Sequence, residues 1–168
     1  MATPHYFMDS SAVVKRYVDE VGSAWIRRLC EARDPETDHK SNAVLIAEIT
    51  RVEVAAAIAR RVKKTKELDE SEGDDAYGLF LEHAEDDYQI VPITPALVRS
   101  AAQLARRYAL RAYDAVQLAT ALHSNNLLKA NGLSLTFVAG DETLLRAAQV
   151  EGMAADNPFD HAELDTAE

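Results

Sequence analysis

Apolar and polar positions along this chain fall into short apolar runs separated by longer amphipathic stretches, a pattern of strands alternating with helices. His5-Tyr6-Phe7-Met8 is too short for a helix and ends at Asp9, which marks a first strand. Ser10 or Ser11 caps a helix over residues 12–18, and Gly22-Ser23 opens another through Trp25 and Ile26 to Leu29. Residues 33–42 are polar and loop-like. Residues 43–47 are apolar throughout and form a second strand, followed by a helix over 49–62. Residues 71–86 read as an acidic surface helix, and 88–93 alternate like a strand. Thr94-Pro95 then sets a capping residue before a first-turn proline, starting a helix that runs to Tyr108. Residues 113–124 are nearly apolar all round, as a buried helix requires, and Asn125-Asn126 and Asn131-Gly132 end it. Residues 135–139 are a further strand, and Asp141 starts a helix to Val150. The alternation predicts an α/β fold with a mainly parallel central sheet of four or five strands flanked by helices. No repeat or linker divides it. One domain over residues 1–158 is expected, with 159–168 an acidic, frayed tail.

Composition adds limits. The 168 residues are 48% apolar and 27% charged, a globular balance long enough for one sizeable core. A single cysteine, Cys30, rules out an internal disulfide and a Cys-rich zinc module. No apolar run approaches the ~18 residues of a membrane span, and the first residues show no basic segment leading into an apolar one. A soluble, cytoplasmic protein away from membranes is the expectation. The net charge of −10 is unevenly placed, with ten acids and no Lys or Arg between Glu67 and Asp87. Basic residues gather instead at Arg51, Arg60, Arg61, Lys63, Lys64 and Lys66, and again at Arg99, Arg106, Arg107 and Arg111. A polyanionic partner therefore stays open, since phosphates respond to local charge; solvated helix faces are the plainer account of each cluster.

Four acids stand where surface acids are out of place. Asp9 closes an apolar strand, Glu53 interrupts the run around Val52 and Val54, Asp114 lies in an apolar helix, and Asp141 follows another strand. Open parallel sheets gather functional groups at the carboxyl ends of their strands, where Asp9 and Asp141 fall. Asp9 and Asp141 could each be helix caps, Glu53 could pair with Arg51, Arg60 or Lys63, and Asp114 with Arg111. One shared cause covers all four: a hard divalent cation, Mg²⁺ or Mn²⁺, held by carboxylate oxygens in a chain that lacks zinc-type His/Cys spacing.

The segments Phe7-Met8-Asp9-Ser10-Ser11-Ala12, Thr50-Arg51-Val52-Glu53-Val54, Leu110-Arg111-Ala112-Tyr113-Asp114-Ala115-Val116-Gln117 and Phe137-Val138-Ala139-Gly140-Asp141 resemble, in order and spacing, the four acidic motifs of PIN-domain ribonucleases. The order looks most like that of VapC-type toxins of type II toxin–antitoxin systems, and the resemblance runs from Tyr6 to Asp156. It implies a PIN-like three-layer fold and Mg²⁺- or Mn²⁺-dependent cleavage of single-stranded or looped RNA, leaving 5′-phosphate and 3′-hydroxyl ends. Asp9, Glu53, Asp114 and Asp141 would be the catalytic carboxylates, with Asp9, Asp114 and Asp141 on the metal. Ser10, Ser11 and Gln117 would support them from behind. Arg51, Arg60, Arg61 and Arg111 are candidates for RNA contact. The long acidic stretch over 67–87 departs from the family pattern.

The resemblance further implies a homodimer and a cognate antitoxin bearing an apolar helix and a basic residue that enters the acidic site. Trp25, Ile26 and Leu29 could form a docking stripe, with core packing as the alternative. Two other functions fit the alternation of elements. A receiver-type signalling domain needs paired acids after its first strand and a late lysine, whereas Ser10-Ser11 follow Asp9 and Ala139-Gly140 stand late. A catalytically silent PIN-like interaction module tolerates loss of acids, yet all four positions are acidic here.

Overall fold

Side chains leave the central strands alternately toward two separate apolar layers, which makes the sheet the middle of three layers. The computed structural model describes residues 3–166. In chain order the elements are β1 His5–Met8, α1 Ser10–Val14, α2 Ser23–Glu31, β2 Ala43–Ala47, α3 Thr50–Arg60, α4 Glu70–Asp86 and β3 Tyr88–Val91. They continue with α5 Pro95–Tyr108, α6 Ala112–Lys129, β4 Leu135–Val138, α7 Glu142–Val150 and β5 Ala154–Asp156. A π-helical turn, Arg61–Thr65, extends α3, and a 3-10 helix, Pro158–Thr166, closes the described chain.

The five strands lie in the order β3-β2-β1-β4-β5, and every pair is parallel. Phe7, Leu45 and Phe137 point to the layer holding Ala101, Leu104 and Leu118 from α5 and α6. Met8, Ile46 and Val138 point to the layer holding Val13, Ile26, Val54 and Phe80 from α1 to α4. The chain moves outward from β1 to β2 and β3 and then returns to β4 on the other side of β1. That reversal puts a crevice at the carboxyl ends of β1 and β4, the usual position of a site in an open parallel sheet. Asp9 directly follows β1 there, its backbone N–H bonded to Val138 O at 3.0 Å. No described helix is long and apolar enough to cross a membrane.

The structure departs from the sequence reading at several points. The helix after β1 stops at Val14, short of residue 18. α6 runs through Asn125-Asn126 to Lys129, because Asn125 is buried and its Oδ1 accepts a hydrogen bond from Leu135 N at 3.2 Å. An asparagine that ties a helix to the next strand does not break the helix. β5 has only three residues and no alternation, and pairs with β4 alone. Ile26 and Leu29 are buried in the core, and Trp25 stacks on His161 with ring centroids 4.0 Å apart, so no docking stripe forms there.

The segment expected to be a frayed tail carries the 3-10 helix, which runs to Thr166. Asp165 accepts hydrogen bonds from Gly22 N and Ala24 N and so satisfies free donors at the start of α2. Gly22 has φ +89°, and a Cβ on it would lie 2.4 Å from Pro158 O, so both backbone geometry and the close approach require glycine. Residues 167 and 168 of that tail lie outside the described residues.

Candidate active site

The four acids come from four elements that end or begin at one edge of the sheet. Asp9 caps α1, its Oδ1 accepting from Ser11 Oγ at 2.7 Å and from Ala12 N at 2.9 Å. Its side chain is buried, with the residue only 4% exposed, and neither bond comes from a cation. Burial pushes its carboxyl up to about 7; the Ser11 and Ala12 bonds oppose this, and the nearby Glu53 and Asp114 charges add to it.

Glu53 lies in the first turn of α3. Burial raises its carboxyl above the ordinary value; Gln117 and Ser10 hold it down, and the Asp114 charge pushes it up. Gln117, in the buried middle of α6, donates from Nε2 to Glu53 Oε2 at 2.6 Å and to Thr50 Oγ1 at 3.0 Å. Of the three supporting residues expected from the sequence, Ser11 bonds Asp9, Gln117 bonds Glu53, and Ser10 lines the groove with Glu53. Thr50 was missed. Its position three residues before Glu53, on the same face of one helix, was the available signal.

Asp114 sits in the first turn of α6 and accepts from Arg111 Nε at 2.8 Å. Asp141 caps α7 through Leu144 N at 2.9 Å, and its other oxygen lies 3.9 Å from Arg111 Nη2. Arg111 thus contacts two of the four acids, although its side chain is 79% exposed. Among the described residues, no three His, Cys, Asp or Glu side chains converge closely enough to grip an ion as they stand. Asp9 and Asp141 are instead engaged as helix caps, and Asp114 by Arg111.

Beside the acids lies a groove of about 400 Å³ lined by Ser10, Ser11, Glu53, Arg60, Arg61 and Tyr113. Arg61 is tied to Glu20, which also holds the buried Lys15 Nζ at 3.0 Å, while Arg60 is exposed. Arg51 points elsewhere, paired with Glu48 at 3.2 Å and with Glu85 of α4 at 3.0 Å. The structure therefore brings Arg60, Arg61 and Arg111 to the site and leaves Arg51 outside it.

Comparison with curated proteins gives no match. Among solved structures, the chain is similar to VapBC2 from Rickettsia felis bound to a DNA fragment from their promoter, with TM-score 0.57, 12% identity and coverage of 91% of this chain and 98% of that one. PAE2754 from Pyrobaculum aerophilum has TM-score 0.55 and 16% identity, covering 99% of this chain and 98% of its own. FitAcB from Neisseria gonorrhoeae has TM-score 0.54 and 19% identity, with coverage of 92% and 98%. At these identities the likeness is one of fold. The model of the PIN domain matches residues 6–148, a span running from within the strand that Asp9 follows through most of the helix that Asp141 caps, and the chain belongs to that family.

Proposed function

We propose that this protein is a Mg²⁺- or Mn²⁺-dependent endoribonuclease acting as the toxin of a toxin–antitoxin pair. The observation that carries this reading is Asp9: a buried carboxylate with no cationic partner in its hydrogen bonds, pushed up by burial and by the neighbouring Glu53 and Asp114 charges. A buried acid cluster of this kind is costly unless something positive joins it. The donors on offer are all oxygens, which suits a hard divalent cation and not zinc.

Asp9, Asp114 and Asp141 would hold the cation, which supplies charge stabilisation at the scissile phosphate when bound. Glu53, raised by burial and fixed by Gln117, is placed to accept a proton from the attacking water. Ser11 keeps Asp9 oriented through its 2.7 Å bond. Arg111, exposed at the rim, is placed to hold a phosphate oxygen. Arg60 and Arg61 line the groove along which the strand's backbone would run.

The resemblance to VapC-type toxins, and the likeness in fold to VapBC2 and FitAcB, support a cognate antitoxin; a homodimer and a cytoplasmic place of action rest on the sequence resemblance alone. The deciding experiment incubates the purified chain with total RNA in Mn²⁺ and maps new 5′ ends. Discrete, EDTA-sensitive cuts that Asp114→Asn abolishes support the reading. No cuts, together with no thermal response to Mn²⁺, would return the chain to a silent interaction module.

A further inference from the structure

The chain has four Phe, six Tyr and one Trp. Of these rings only two are exposed, Tyr113 at 54% and Phe159 at 48%. A single exposed ring needs no explanation. Both of these, however, border the acidic site. Tyr113 precedes Asp114 in the first turn of α6 and lines the groove with Ser10, Ser11 and Glu53. Phe159 packs over Gly140, where a Cβ would lie 3.1 Å from Phe159 Cε2 and 3.4 Å from Ser11 Oγ. That serine is the one bonded to Asp9. Phe159 is also held from below, because the buried Lys15 Nζ lies 4.2 Å from its ring centroid. The groove that Tyr113 lines carries Arg60 and Arg61 alongside Glu20 and Glu53, and Phe159 reaches its rim through Ser11.

We infer that Tyr113 and Phe159 are base-stacking platforms flanking the carboxylates, each receiving an unpaired nucleobase on one side of the phosphate to be cut. The inference rests on the ribonuclease reading above. Flat exposed rings beside a groove that carries an exposed arginine, Arg60, are a surface that single-stranded nucleic acid selects, because an unpaired base offers its π-face and a base within a duplex does not. Stacking would also fix the register of the strand over the acids, a positioning role separate from the chemistry.

The test measures binding of fluorescein-labelled poly(U) and poly(A) strands, and of the duplex they form, by anisotropy in EDTA. Cleavage kinetics in Mn²⁺ are followed in parallel. Tyr113→Ala should weaken single-strand binding by roughly 5- to 100-fold and leave the weaker duplex binding unchanged. Tyr113→Phe, which keeps the ring, should bind as wild type. In kinetics Tyr113→Ala should raise KM more than it lowers kcat. Phe159→Ala should behave likewise, with Phe159→Tyr as its ring-keeping control. Should Phe159→Ala fold poorly, the exposed Tyr113 carries the test alone. Alanine variants with wild-type affinity, or a Tyr113→Phe loss equal to that of Tyr113→Ala, would overturn the inference and assign the rings to another partner. In that event wild-type cleavage still stands; a wild type that neither binds nor cuts any strand overturns the ribonuclease reading itself.

Discussion

Arg111 Nε donates to Asp114 Oδ2 at 2.8 Å across one turn of chain, and the same guanidinium reaches to within 3.9 Å of Asp141. One exposed cation therefore stands between two of the four acids. With its cation 79% exposed to solvent, the pair contributes little stability, about 1 kcal/mol or less. Arg111→Gln should leave the melting temperature of the metal-free protein nearly unchanged. Stabilisation by Mn²⁺ should be equal or larger, because a competing positive charge is gone. A large loss of stability would make Arg111 a structural residue.

Asp114→Asn keeps shape and removes charge. RNA cleavage should fall by at least about a hundredfold, as it does when a group stabilising transition-state charge is lost. The metal-free fold should hold or gain stability because repulsion on Asp9 and Glu53 is relieved. The thermal shift in Mn²⁺ should shrink with affinity. Melting curves with and without Mn²⁺ separate this outcome from a structural ion pair, which would give a destabilised variant and an unchanged metal response.

Asp9 makes the metal-free protein sensitive to pH. Its carboxyl keeps a proton up to about 7 when folded, against an ordinary value of 3.8 when unfolded. Between those values the folded state binds more protons, so its contribution is full below 3.8 and is lost as pH rises to about 7. Asp9→Asn retains the oxygen that accepts from Ser11 and Ala12, so it should match wild type near pH 4. Near pH 8 in EDTA it should be more stable, by an amount of the order of a few kcal/mol. Denaturant titrations at the two pH values check this, and equal stability at both would mean that Asp9 ionises freely.

Salt dependence distinguishes the arginines. Arg60 is exposed in the groove, whereas Arg51 is paired with Glu48 and Glu85 outside it. Arg60→Gln should flatten the dependence of RNA affinity on salt by about 0.7 in log–log slope, one phosphate contact on a single strand. Arg51→Gln should not change it. The reverse result would move the strand's path to the α4 side.

The acids were legible in the sequence because each stands in an apolar context, and a lone carboxylate there needs a reason. The strands were legible from short apolar runs, and the α5 start from Thr94-Pro95, where Thr94 Oγ1 accepts from Leu97 N at 3.2 Å. What stayed hidden depends on partners distant in sequence. Asn125 reads as a breaker until Leu135 N is seen to bond it. Asp165 reads as one more tail acid until it meets Gly22 and Ala24. Tyr113 looks like a core residue of an apolar helix, and only the placement of that helix's first turn at the sheet edge exposes it.

The central strand has a further consequence, for refolding. β1 pairs on one side with β2, close in sequence, and on the other with β4, which closes a loop from His5 to Leu135. Parallel pairing across so long a loop forms late, since the entropy of closure must be met before the contact rewards it. Asp141 lies beyond β4, so it joins the edge of the sheet that carries Asp9 only when that closure is made. Intermediates that have built β1 to β3 can be rich in secondary structure and still lack one wall of the crevice. Recovery of nuclease activity after dilution from denaturant should therefore follow the slowest phase of folding, with no early burst.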